Sequence, residues 1–312
     1  MMTIGENLTV FAGLPVEDFR MSDGISRPES VCYRVRLDWD EHEAGTTFME
    51  VLNRFLDDPN LPRVKSFVIG LWAPEMEGDS TLIIRMLTSV ADSLKHLEAL
   101  FLGDITFEEQ EISWIQQSDV TPLFDALPNL KTLRVRGSDG LRLVPVPHAR
   151  LRELAIESGG LPSHLIQAVL GCDFPALEHL ELWLGDSGYG WDGTVELLDP
   201  LLQGKLFPNL KYLGLRNSEI SDEIAEAIST APILERLEVL DLSMGTLGDR
   251  GADALLKAPA LAKLKKLDVH HHYISDDRVR QLGNSVKELN AGDKQEPDDW
   301  GGEQHRYVAV AE

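Results

Sequence analysis

One pattern constrains this chain more than any other: L-x-x-L-x-L, apolar at relative positions 1, 4 and 6, recurs along most of its length. The clearest copies are "LKTLRV" from Leu130, "LEHLEL" from Leu177, "LKYLGL" from Leu210, "LEVLDL" from Leu237 and "LKKLDV" from Leu264. "VKSFVI" from Val64, "LEALFL" from Leu97 and "LRELAI" from Leu151 extend the series, and weaker copies begin at Cys32 ("CYRVRL") and Val286 ("VKELNA"). From Val64 to Val286 the intervals run 33, 33, 21, 26, 33, 27, 27 and 22 residues. One such unit has nothing against which to bury its leucines, so units must stack into a continuous core. Between the motifs lie "TTFMEVLNRFLDD", "STLIIRMLTSVADSL", "LPSHLIQAVLG", "SDEIAEAISTAP" and "DRGADALLKAPA", whose apolar residues recur at helical spacing. Ser221 and Ser275, each followed by acidic residues, are predicted N-caps. The expected fold is an α/β solenoid of about ten repeats, a parallel sheet on its concave face and helices on its convex face.

The segment "LEVLDLSMGTLGDRGADALLKAPALAKLKKLDV", in which a glycine-aspartate turn leads into a helix, resembles the leucine-rich repeat family and, more narrowly, its ribonuclease-inhibitor-like subclass. The chain is also similar to a group of bacterial cytosolic repeat proteins whose genes accompany those for radical-SAM and ATP-grasp proteins. The resemblance covers roughly residues 31–291 and implies a horseshoe that binds a partner, or an accessory subunit of an enzyme system. Residues 1–30 are expected to cap the first repeat. Residues 292–312 begin as an acidic linker and end in the alternating "RYVAVA", read as a folded-back cap strand in preference to a loose tail.

The formal charge of −23 argues against nucleic acid, which is bound by neutralising phosphates with Lys and Arg. It suits a basic or mixed-charge protein or peptide, although acidity also serves simple solubility. No basic region followed by an apolar run opens the chain and no apolar stretch is long enough to span a bilayer, so a cytoplasmic protein without membrane contact is expected. Cys32 and Cys172 lie far apart without a CxxC pair, which predicts buried reduced thiols and no cysteine-based metal site.

Strand side chains alternate, so positions 3, 5 and 7 of each motif should project opposite to the leucines. Read in register, this places Arg134, Glu181, Asp241 and Asp268 in one column and Arg136, Glu157, Trp183, Arg216 and His270 in another, with Tyr212 beside them in the third-position row. Arg136 should face Glu157, and Asp241 and Asp268 should be like-charged lateral neighbours relieved by solvent, by Arg216, Lys266 or His270, or by an incoming cation. Trp183 and Tyr212 beside Arg216 have the composition of an interaction hot spot. The loop "LGDSGYGWDGTVE" presents Tyr189 and Trp191, either for binding or as cover for the core, and with the insertion around Trp114 would wall the sheet. These twelve residues form the predicted partner surface.

The run His270, His271 and His272 invites a metal reading. Alternation and the turn after the strand should split it, with His270 on the display face, His271 on the rim and His272 turned inward to bond the turn, so no cofactor or metal is predicted. No nucleophile elbow, phosphate loop or dinucleotide fingerprint occurs, and a non-enzymatic role is favoured. The sharpest catalytic alternative is His270 with Asp241 and Asp268 as an acid-base or metal-assisted hydrolytic cluster.

Overall fold

The computed structural model describes residues 4–73 and 78–312. Two compact units emerge from its contacts, an amino unit of Met2–Leu154 with Cys172–Phe174 and a carboxy unit of Ala155–Gly171 with Pro175–Glu312. In the amino unit, β1 (Val10–Phe11) and β2 (Leu14–Asp18) form an antiparallel hairpin. From β2 onward the pairing is parallel and follows chain order through β3 (Cys32–Val35), β4 (Ser66–Ile69), β5 (Ala99–Leu102) and β6 (Thr132–Arg136). β7 (Glu153–Glu157) carries residues of both units.

In the carboxy unit, β8 (His179–Gly185), β9 (Tyr212–Ser218), β10 (Val239–Asp241), β11 (Lys266–Asp268) and β12 (Leu289–Asn290) again pair in parallel and in chain order. An exposed antiparallel hairpin of β13 (Asp298–Trp300) and β14 (Glu303–His305) follows. This alternation of parallel strands with helices is an α/β repeat solenoid. Parallel neighbours need a crossover, and most repeats supply one through short helices, whereas the connection from β6 to β7 is irregular.

Register follows the leucines. Tyr212, Val239 and Lys266 are aligned across β9, β10 and β11, and so are Leu213, Leu240 and Leu267, which are fully buried. Each buried leucine contributes about 1.5–3 kcal/mol of transfer free energy, and a one-residue slip would turn the column to the opposite face. The weak motif at Cys32 is displaced: Tyr33 pairs with Phe67 and Val35 with Ile69, so that repeat begins two residues earlier than "CYRVRL" suggests. A slip of two preserves the faces, and Tyr33 and Val35 still point inward.

Helices form where the sequence pattern places them, as in Phe48–Leu56, which buries Phe48, Val51, Leu52, Phe55 and Leu56. A reciprocal capping box starts it, the Glu50 N–H bonding the Thr47 hydroxyl while the Glu50 carboxylate accepts the Thr47 N–H. Of the two predicted serine caps, Ser275 stands at the N-cap position and Ser221 is corrected. Ser221 is already helical, and its hydroxyl donates to the Ser218 carbonyl at 2.7 Å. Ser275 occupies the N-cap without a side-chain capping bond. Cys32 and Cys172 are buried free thiols, and burial pushes the Cys32 thiol up to about 11. Among the described residues no helix is long and apolar enough to cross a membrane.

Candidate binding face

The carboxy unit gathers most of the predicted residues into one buried layer on the face opposite the leucines. Arg216, at the seventh position of its motif on β9, is its hub. Its Nη1 donates to Glu181 at 2.7 Å, its Nε donates to Ser243 Oγ at 2.9 Å and stands 3.4 Å from Asp241, and its guanidinium lies 5.1 Å from the centre of the Trp183 ring. Trp183 Nε1–H donates to Glu181 at 2.7 Å, and the Tyr212 hydroxyl donates to Asp241 at 2.7 Å. Burial opposes charge on Arg216, yet the carboxylates of Glu181 and Asp241 hold its guanidinium charged above its ordinary range. Burial, then the same two carboxylates, drives the Tyr212 phenol far above its usual value and keeps it a donor.

Asp241 and Asp268 are the lateral pair that the columns predict. They are not solvated carboxylates as expected, being only 5% exposed each. Each is first satisfied at the end of its own strand, accepting the backbone N–H two residues on, from Ser243 at 3.0 Å and His270 at 3.2 Å. Asp268 then takes Asn290 Nδ2 at 2.9 Å, Lys266 Nζ at 2.9 Å and His270 Nδ1 at 2.7 Å. Burial alone would raise its pKa, but the bonds from His270, Asn290 and Lys266 outweigh it and hold the carboxyl well below the usual range.

The histidine run divides because His271 is left-handed, with φ of 56°. His270 turns to Asp268; His271 bonds Asp293 and the Tyr307 carbonyl, both at 3.2 Å; His272 is buried, accepting the Ile274 N–H at 2.9 Å and reaching the Ala291 carbonyl at 3.2 Å. Asp241 is committed to Tyr212, Arg216 and its own strand rather than to His270.

The remaining predicted residues fall elsewhere. Arg134 and Arg136 belong to the amino unit, where their guanidinium groups lie 5.6 and 5.3 Å from the centre of the Phe101 ring, and Arg136 donates to the Ile105 carbonyl at 2.7 Å. Glu157 is buried at the end of β7. Trp191 is buried, so its indole covers the core beneath its loop and is not displayed; the half-buried Tyr189 donates its hydroxyl to Glu312 at 2.6 Å.

Burial therefore redraws the surface. The fifth- and seventh-position residues Glu181, Trp183, Arg216, Asp241, Asp268 and His270 are all buried, whereas the third-position row His179, Tyr212, Val239 and Lys266 is half-buried throughout. His179 and Tyr212 stack with ring centroids 3.7 Å apart and planes 6° from parallel. Of that row only Tyr212 stands among the predicted residues. Its signal was present in the same column reading, but composition favoured the larger charges and aromatics, whose mutual packing alternation cannot reveal.

A leucine-rich repeat family model matches residues 208–229 and 237–256. The crystal structure of a protein from Bacteroides fragilis is similar at 38% identity, covering 84% of this chain and 74% of the other with a TM-score of 0.79. An internalin from Listeria monocytogenes is similar at 14% identity, covering 85% of this chain and 73% of the other with a TM-score of 0.38. No curated protein matches. With two of its repeats matched by the family model, a relative at 38% identity aligned over most of both chains, and strand order and register following the repeats, the chain belongs to the leucine-rich repeat family.

Proposed function

We propose that the chain is a non-catalytic scaffold that binds a protein or peptide partner along the row His179, Tyr212, Val239 and Lys266. The observation that carries this reading is the division of labour on one face. Buried fifth- and seventh-position residues bond to one another, leaving the half-buried third-position row as a strip in which Tyr212 and Lys266 are tied to Asp241 and Asp268. A binding surface carried on paired strands, with polar side chains already held by neighbours, loses little entropy on association. The strip is amphipathic: a stacked imidazole and phenol, one aliphatic side chain and one ammonium. Its acidic surroundings suit a basic or mixed-charge partner, and an accessory role beside an enzyme is one form such binding takes.

The test is affinity capture from the native cell with mass spectrometry, comparing the unaltered chain with a Val239→Asp, Lys266→Glu double variant shown by circular dichroism to remain folded. Loss of an enriched partner from the variant is the expected result; an identical captured set would sink the assignment. Turnover on a broad hydrolysis panel, abolished by His270→Ala, would replace it with the catalytic alternative of His270, Asp241 and Asp268.

A further inference from the structure

The repeat of 27 residues between Leu210, Leu237 and Leu264 has a second product. Asn217, Met244 and His271 occupy the eighth position of three successive motifs, and all three are left-handed, with φ of 51°, 68° and 56°. Residues without a glycine's freedom rarely adopt that conformation. Here each turns a polar group toward the same segment, residues 306–312. The Ala309 N–H donates to the Met244 carbonyl at 2.8 Å. Asn217 clamps Val310 from both sides of its peptide, its Oδ1 accepting the Val310 N–H at 3.0 Å and its Nδ2 donating to the Val310 carbonyl. The Tyr307 carbonyl meets His271 Nε2 at 3.2 Å and accepts the Tyr273 hydroxyl at 3.0 Å, and that hydroxyl accepts the Tyr307 N–H at 2.8 Å.

Nearly all of these bonds read backbone, so they recognise the course of the chain and not its sequence. Selectivity comes from two side chains. Val310 is buried although the segment around it is half or fully exposed. Arg306 donates to Asp222 and to the Thr246 carbonyl, both at 3.2 Å, and lies 5.6 Å from the centre of the Tyr273 ring. Its guanidinium borders a cavity of about 420 Å³ whose walls include Glu219, Asp222 and Glu223. Gly248 makes room for it: a Cβ there would stand 2.2 Å from Arg306 Nη1, while the extended backbone of Gly248, with φ of −122°, would accept any residue. The segment returns to the repeats through the wholly exposed strands β13 and β14.

We propose that this groove is a second docking site, for an extended segment of a partner protein carrying an arginine and, four residues later, a valine or isoleucine, and that residues 306–312 fill it in cis until such a segment displaces them. It is separate from the third-position row and stands or falls independently of it. A tethered occupant at an effective concentration of ~1 mM outcompetes a free peptide at lower concentration, so the unaltered chain should show weak affinity in trans.

The experiment uses the full chain and a fluorescent peptide of sequence QHRYVAVAE, residues 304–312. Freeing the cis segment with Arg306→Glu and Val310→Asp should tighten peptide binding by about tenfold or more. Adding Asp222→Asn, which removes the carboxylate that accepts from the guanidinium, should cut that gain for the arginine peptide and leave a peptide with alanine in its place unaffected. No gain on release, or equal binding of the alanine peptide, overturns the proposal. Hydrogen exchange on the unaltered chain decides the matter should the variants misfold. The Ala309 and Val310 amides should exchange at least ~100-fold faster than those of β10, which reports local opening; protection equal to β10 would make the segment a permanent cap. Dimers of the unaltered chain that exchange this segment would assign the groove to a second copy and overturn the partner.

Discussion

The two units use the face opposite their leucines in contrary ways. In the amino unit that face is a second apolar core: Cys32, Val68, Ala99 and Phe101 are buried beneath Phe11, with Leu8, Leu14 and Val16 packed against them. In the carboxy unit it is the layer of Glu181, Arg216, Asp241, Asp268 and His270. Each unit also carries a terminal segment across its repeats, and these differ in the same sense. Residues 4–11 are held by the Phe11–Phe101 ring contact at 6.0 Å and by Asp104, fully buried, which accepts the Leu8 N–H and pairs with Arg34 at 3.1 Å. Residues 306–312 rest on backbone bonds, Arg306 and one buried valine. Apolar burial adds stability in proportion to area and asks little of geometry, whereas a buried ionic layer contributes little net stability but penalises any broken member. The amino unit's face is therefore closed by its own chain, and the carboxy unit keeps one that is ordered yet polar.

The largest effect should come from breaking the ionic layer at its hub. Arg216→Leu leaves Glu181 and Asp241 buried without their cation, which should cost about 3–5 kcal/mol in urea unfolding. Replacing the charges together, as Glu181→Gln with Asp241→Asn and Arg216→Leu, should recover most of that loss. If the triple variant is no more stable than the single one, the layer is not a coupled network. Phe11→Ala is the matching cut in the amino unit. Its ring is 5% exposed, and its loss should cost about 3 kcal/mol and loosen residues 4–11.

Smaller, and signed by pH, is Asp268→Asn. The folded pKa of Asp268 is depressed, so its contribution is present above the unfolded carboxylate value of about 3.9 and is lost as pH falls from there through the lower folded value. The variant should be less stable than the unaltered chain by about 1–3 kcal/mol at pH 7, and the two should converge as acid is added below pH ~4. A gap that stays constant down to pH ~2 would place the effect in packing and not in charge.

What the sequence made legible follows the same divide. Periodicity located the strands because burial of the leucine column is decided by every repeat at once, and a slip at any one would expose it. The weak copy at Cys32 went astray by two residues because Tyr33 and Val35 carry inward positions that a leucine template does not recognise. Column reading also brought Asp241 beside Asp268 and Arg216 beside Trp183 correctly. It could not tell display from burial, because alternation gives direction while exposure depends on the size of neighbours: Trp183 and Arg216 cover one another and leave the third-position row as the accessible strip. The groove across Asn217, Met244 and His271 was hidden for another reason. Left-handed positions are signalled by glycine, and none of these three is glycine.

The smallest predicted effect sharpens the comparison most. Val310 is 8% exposed, nearly as buried as Phe11, so area alone would make its loss costly. Yet the bonds around it, from Asn217 and Met244, survive truncation of the side chain, and the hairpin behind it is wholly exposed. Val310→Ala should therefore lower global stability by about 1 kcal/mol or less while raising amide exchange at Tyr307, Ala309 and Val310 severalfold and leaving β9 to β11 unchanged. The corresponding Phe11→Ala variant should speed exchange at Leu8 and across β3 to β5 together, because that segment is part of a core and not laid over one. If Val310→Ala instead accelerates exchange throughout β9 to β11, the two terminal segments are equivalent caps, and the distinction between a closed face and an open one fails.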